Sequence, residues 1–176
     1  MAAAGCILSA VSSPSADEPH ATRPAPQGAV LKRTTPHLSV TATLSPTVTS
    51  PGSRVSILVD VVPKRGMHVY APGTQYRPIA VVLDPSPQFR VHEPVYPEPR
   101  TYLFKPLNER VLVYSSPFRL RLDVTLDGTR DQDVQMSKRG RVDMTGRLEY
   151  QACDDRVCYL PAKIPLEWSV RVKPRP

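Results

Sequence analysis

Leu38-Ser39-Val40-Thr41-Ala42-Thr43-Leu44 alternates apolar and polar residues without a break, the period of a strand that buries one face. The same period returns at Val55, Ile57, Val59 and Val61, after a turn at Ser50-Pro51-Gly52. It returns again at Leu120, Leu122, Val124 and Leu126, set between Arg119, Arg121, Asp123 and Thr125 and stopped by Asp127-Gly128. Near the end, Ile164, Leu166, Trp168, Val170 and Val172 alternate with Lys163, Glu167, Ser169 and Arg171. Shorter strand candidates are residues 67–70, 79–83, 95–96, 111–114 and 142–152. About eight or nine strands so spaced, punctuated by Pro and Gly, predict an all-β sandwich, with a small barrel as the competing closure. Pro inside a helix costs about 3 kcal/mol, and the 21 prolines run along the whole chain, which excludes long helices. Residues 128–140 show no apolar period and mix both charge signs, which predicts a solvent-exposed hairpin loop.

The 176 residues suit one domain plus a tail. Residues 1–36 read as a remnant of an export signal followed by a flexible, disordered tether, broken by Pro14, Pro19, Pro24 and Pro26. The domain itself is expected over residues 37–174. Ala3-Ala4-Gly5-Cys6 has the form of a bacterial lipobox, where a signal peptide is removed and the new N-terminal cysteine is acylated. Only five residues precede Cys6, short of the basic start and apolar stretch that such a signal needs. Two readings stay open: a lipid anchor at Cys6, or small residues left from an ordinary export signal. Both put the domain outside the cytoplasm, in the periplasm, free or tethered to the membrane.

The net charge of +7 raises the question of an anionic partner. The basic residues lie on strand faces and at residues 138–141, and none forms a run interleaved with aromatics, so nucleic acid is not expected as a partner.

Chemistry concentrates in Gly146-Arg147-Leu148-Glu149-Tyr150-Gln151-Ala152-Cys153-Asp154-Asp155-Arg156-Val157-Cys158-Tyr159-Leu160-Pro161. Leu148, Tyr150 and Ala152 share parity with Val142 and Met144, so Cys153 falls on the opposite face, expected at a strand end next to solvent. The intervening residues 154–157 can return Cys158 to face Cys153 at disulfide distance. Closing so small a ring stabilises by about 2 kcal/mol, less than a long-loop bond. An exposed small ring also gives an incoming thiolate access to sulfur. A metal would need more ligands, and the nearest histidines, His68 and His92, are distant in sequence. Spacing alone leaves redox exchange, a structural hairpin staple and, least favoured, a soft-metal site with His68. No metal or cofactor is assigned. Arg156 would favour a thiolate while Asp154 and Asp155 oppose one.

Tyr150-Gln151-Ala152-Cys153, Cys158-Tyr159 and Pro161 resemble the active-site hairpin of the N-terminal periplasmic domain of the thiol:disulfide interchange protein DsbD, and Gly66-Met67-His68-Val69-Tyr70 resembles the strand beside it. His68 stands where that family often has an aromatic. The resemblance runs from about residue 37 to 172 and implies an immunoglobulin-like sandwich. It further implies a protein-disulfide reductase domain, an electron carrier in the periplasm of the kind that serves disulfide isomerisation and cytochrome c biogenesis. A membrane thiol carrier or thioredoxin-like reductant would reduce the cysteine pair, which would then reduce a periplasmic disulfide isomerase or another thioredoxin-fold client. By the same resemblance Cys158 is the exchanging thiol and Cys153 its resolving partner. Tyr70, Tyr150 and Tyr159 would surround them, and Tyr102 or Phe104 would shield them. The alternative from another class is a non-redox immunoglobulin-like binding or assembly module whose disulfide pins a hairpin.

Overall fold

The computed structural model describes residues 30–175. Cys6, the expected acylation site, and all of the expected tether before residue 30 lie outside the described residues. In chain order the strands are β1 (Leu31–Thr34), β2 (Leu38–Ser45), β3 (Val48–Thr49), β4 (Arg54–Pro63), β5 (His68–Tyr70), β6 (Ala80–Leu83) and β7 (Phe89–Val91). There follow β8 (Arg100–Phe104), a 3-10 turn (Lys105–Leu107), β9 (Glu109–Tyr114), β10 (Phe118–Leu126), the α-helix α1 (Arg130–Arg139), β11 (Arg141–Tyr150), β12 (Ala152–Cys153) and β13 (Ala162–Val172).

Two sheets make the sandwich that the alternation predicts. One has the order β1-β2-β4-β10-β7 and the other β3-β13-β11-β6. The quoted strands bury the residues that their parity selects: Leu38, Val40, Ala42 and Leu44 from β2, and Ile57, Val59 and Val61 from β4. These meet Met144, Leu148, Leu166 and Trp168 from the facing sheet in one continuous apolar core. Burying a side chain of this size stabilises by about 1.5–3 kcal/mol. Strand β1 pairs antiparallel with β2, Leu31 opposite Ala42, so the sheet extends into the last residues of the stretch expected to be tether. Only four residues long and mostly exposed, β1 is a short edge strand with too few apolar residues to show a period.

A third sheet, β12-β5-β9-β8, carries the cysteine hairpin. Residues 95–96, expected as a strand, contribute only a single bridge, Val95 to Arg121.

The expected loop at 128–140 is instead the helix α1. Its surface is polar and Met136 is its one buried residue, so no apolar period exists to be read. What builds it is terminal chemistry: Asp131 and Asp133 in the first turn and Lys138 and Arg139 in the last complement the helix dipole. Gly140 ends it in the left-handed region at φ +68°, its N–H donating to the Met136 carbonyl.

Candidate functional site

Strand β11 runs out of the sandwich and, after Gln151, re-enters pairing as β12 against β5, with Ala152 opposite Val69 and Cys153 opposite His68. The parity argument holds across this step, since Ala152 packs into the main core while Cys153 joins a separate cluster with Tyr70, Val111 and Val113. The expectation that Cys153 lies next to solvent is corrected: it is fully buried, at 0% exposure. Strands β5 and β9, remote in sequence, supply the apolar cover, and Tyr76 and Tyr102 complete it.

Cys153 and Cys158 are joined by a disulfide with Cα atoms 4.0 Å apart. The two sulfurs differ sharply in surroundings, because Cys158 is exposed. The turn between them is held by its own hydrogen bonds. Asp154 Oδ1 accepts from the backbone N–H groups of Arg156 and Val157, both at 2.8 Å, and the Asp154 N–H donates to the Val157 carbonyl at 3.0 Å. Tyr159 adds its hydroxyl to Asp154 Oδ2 at 2.8 Å and its N–H to the Ala152 carbonyl at 2.8 Å. The Val157 and Arg156 amides, then the Tyr159 hydroxyl, hold the Asp154 carboxyl below the ordinary carboxylate value. The same bond to Asp154 pushes the Tyr159 hydroxyl up.

Strand β5 brings two side chains to the disulfide. Residues two apart share a strand face, and His68 and Tyr70 both turn toward the cysteine cluster. The Tyr70 hydroxyl lies 3.2 Å from Cys158 Sγ. A disulfide sulfur has no proton, so Tyr70 is the donor. Burial, then the neighbouring Tyr76 and Glu109, push the Tyr70 hydroxyl up to about 12, which keeps it a donor well into the alkaline range. Its ring stacks on Tyr76 at 4.4 Å, and the Tyr76 hydroxyl donates a short hydrogen bond to Glu109. His68 is 3% exposed, and its Nε2 has no hydrogen-bond partner among the described residues. Burial depresses its pKa, with the Asp154 charge acting the other way. Tyr102 lies across it, ring centroids 4.3 Å apart.

Of the residues singled out from sequence, then, Cys153, Cys158, His68, Tyr70 and Tyr102 are brought together, and Tyr159 braces the turn. Tyr150 is elsewhere. It sits in the main core on the Ala152 face, its hydroxyl donating to Thr35 Oγ1 at 3.1 Å. Phe104 is buried at the end of β8 opposite Glu109 and stands outside the cluster around Cys153, so Tyr102 is the candidate shield that lies over it. Three residues that sequence reasoning missed belong here: Tyr76, Glu109 and His37, whose ring packs on Tyr159 at 4.5 Å. The faint signal for Tyr76 is an aromatic in a Gly73-to-Pro78 loop, where turn residues are expected.

The chain matches the family described as "Thiol:disulfide interchange protein DsbD, N-terminal" over residues 36–165. Among solved structures, the crystal structure of the N-terminal periplasmic domain of ScsB from Proteus mirabilis aligns with a TM-score of 0.52 at 19% identity, over 78% of this chain and 49% of that one. The present chain thus spans about half the length of that domain. The N-terminal domain of Neisseria meningitidis DsbD in its reduced form aligns at a TM-score of 0.44 and 16% identity, over 66% of this chain and 78% of that one. No curated protein matches the chain.

Proposed function

The chain belongs to the family of DsbD N-terminal domains, and from that premise we propose that it is a thiol–disulfide exchange domain that relays two electrons through the Cys153–Cys158 pair to thioredoxin-fold proteins. The observation that carries the reading is the asymmetry of the pair: an exposed residue, Cys158, with a hydroxyl donor beside its sulfur, bonded to a buried Cys153. Nucleophilic exchange needs access to one sulfur and protection of the other. In the reduced domain the Cys158 thiolate attacks a client disulfide. A Cys158–client bond forms and the client's second sulfur leaves as a thiolate. Cys153 then attacks Cys158 Sγ, the internal disulfide closes, and the client departs as a dithiol. Tyr70 donates to Cys158 throughout, steadying the charge that develops there.

Periplasmic operation, reduction by a membrane thiol carrier or thioredoxin-like protein, and clients such as a disulfide isomerase or the machinery of cytochrome c biogenesis belong to the same reading. So do a working unit over 37–174, which the edge strand β1 extends back to residue 31, and a tether or lipid anchor before it. No helix among the described residues is long and apolar enough to cross a membrane. The staple alternative is weakened by the hydrogen bonds that already hold the turn from Asp154 to Val157.

The test is trapping. Cys153→Ala, reduced and mixed with an oxidised thioredoxin-fold protein, is expected to accumulate a mixed disulfide through Cys158, while Cys158→Ala traps little because Cys153 is covered. If Cys153→Ala gives no mixed disulfide with any such protein, the exchange role fails.

A further inference from the structure

We propose that His68 takes the proton from the Cys153 thiol as that buried sulfur closes the internal disulfide, and hands it back when the pair is reduced. The inference rests on the exchange reading above and assigns a group that the sulfur chemistry alone does not require. Its basis is register. His68 on β5 is the direct cross-strand partner of Cys153 on β12, and such partners project from the same face with Cβ atoms about 4.5–5.5 Å apart. Both are buried, Cys153 at 0% and His68 at 3% exposure. The Nε2 of His68 is an orphan among the described residues. Buried polar atoms are nearly always paired, and an orphan is accounted for if its partner exists only in the other redox state. A disulfide sulfur offers no proton, whereas the reduced Cys153 S–H offers one.

The groups around the imidazole fit the task. Tyr102 from β8 lies tilted against it at 4.3 Å and Tyr70 from its own strand stands edge-on at 6.4 Å, both uncharged. Asp154, in the turn after β12, is the charged group that acts on it. Burial keeps the resting ring neutral and able to accept, and the Asp154 carboxylate steadies the imidazolium once it forms. An apolar cluster is a poor host for a lone thiolate, so a neighbouring imidazolium lets Cys153 ionise as it attacks.

The step balances. From the Cys158–client mixed disulfide, the proton of Cys153 passes to His68 Nε2, the Cys153–Cys158 bond forms, and the Cys158–client bond breaks. The client leaves as a thiolate and is protonated by the imidazolium or by solvent. On reduction by a dithiol of a thioredoxin-fold protein each movement reverses.

The experiment uses the full chain, reduced, with oxidised glutathione as the probe. Acid quenching and mass spectrometry follow the formation and decay of the Cys158–glutathione adduct from pH 5.5 to 9.5. His68→Phe keeps a ring and removes the acceptor; His68→Gln keeps polarity and removes the titration. Both are expected to form the adduct at the native rate and to resolve it roughly ten-fold or more slowly near pH 6.5. The deficit should close toward pH 9.5, where a thiol ionises unaided. Variant profiles that overlie the native one, or run parallel to it at every pH, reduce His68 to packing and overturn the proposal. The native chain supplies a check free of substitutions: the His68 ring resonances should titrate at lower pH in the dithiol form than in the disulfide form, because the Cys153 S–H then donates to the neutral ring, and identical midpoints overturn it too. A native chain that forms no adduct overturns the exchange reading itself, which separates the two failures.

Discussion

At the residue scale the Tyr70 hydroxyl has the clearest consequence. It is a donor 3.2 Å from Cys158 Sγ, on a ring fixed by stacking against Tyr76. Tyr70→Phe keeps the ring and deletes the donor. A hydrogen bond to a charged group contributes about 1.5–3 kcal/mol, so the Cys158 thiolate of the variant should react with oxidised glutathione about ten-fold or more slowly below pH 8, with its melting temperature nearly unchanged. Equal rates in stopped-flow assays would remove Tyr70 from the reaction. Much of this site was legible in the sequence because it lies on two short runs, 66–70 and 150–161, that carry their own signature. The remainder was not. Tyr76 and Glu109 come from a loop and a strand start, with no period to mark them, and meet only through the fold. The burial of Cys153 was equally hidden, since parity says which face a residue takes but not what later covers that face. Parity did contain the answer for Tyr150, which shares the face of Ala152 and therefore points into the main core.

At the scale of elements, β11 is the part that connects stability to the site, pairing with β13 along its length and with β6 over its second half. Gly146 is where β6 comes closest. A Cβ there would press on the Val82 carbonyl and the Leu83 Cα, both of them backbone. Gly146→Ala is therefore expected to destabilise by about 1–3 kcal/mol, the usual cost of overpacking, seen as a lower urea midpoint at constant slope. Helix α1 offers the complementary case. Met136→Ala should cost about 2–5 kcal/mol, because Met136 is the helix's only buried side chain. Yet α1 meets the start of β11, and the cysteines follow its end, about 30 Å away at the rise of a strand. Exchange with glutathione should thus be unchanged in folded Met136→Ala; a slowed reaction would mean the two ends are coupled. The sequence concealed α1 because hydrophobic period was the test applied, and a helix with one buried residue has none. Its acidic first turn, basic last turn and following Gly140 were the readable signs.

For the molecule as a whole, titration of buried rings sets the pH range of stability. Burial pushes both Tyr70 and Tyr114 up to about 12 from 10.0. A group whose folded value is raised contributes stability that is complete below its unfolded value and is lost as pH climbs, here from 10 toward 12. Tyr70 and Tyr114 lie on β5 and β9 of the sheet that bears the disulfide, so alkaline loosening should reach the active hairpin early. His68 acts in the opposite direction. Its folded value is depressed below 6.5, so its contribution is complete above 6.5 and declines as pH falls toward the folded value. Asp133, held down first by its bond from Arg175, and Asp127, held down by the Thr129 amide, follow the same sign lower still, stabilising above the ordinary carboxylate range and ceasing to do so as they protonate. Thermal melts of the oxidised chain followed by the fluorescence of buried Trp168 should therefore give a plateau between about pH 7 and 10 that falls on both sides. In His68→Phe the plateau should extend below pH 6.5 while the alkaline limb stays where it was. A native melting temperature that is level from pH 5 to 11.5 would contradict the burial of these rings.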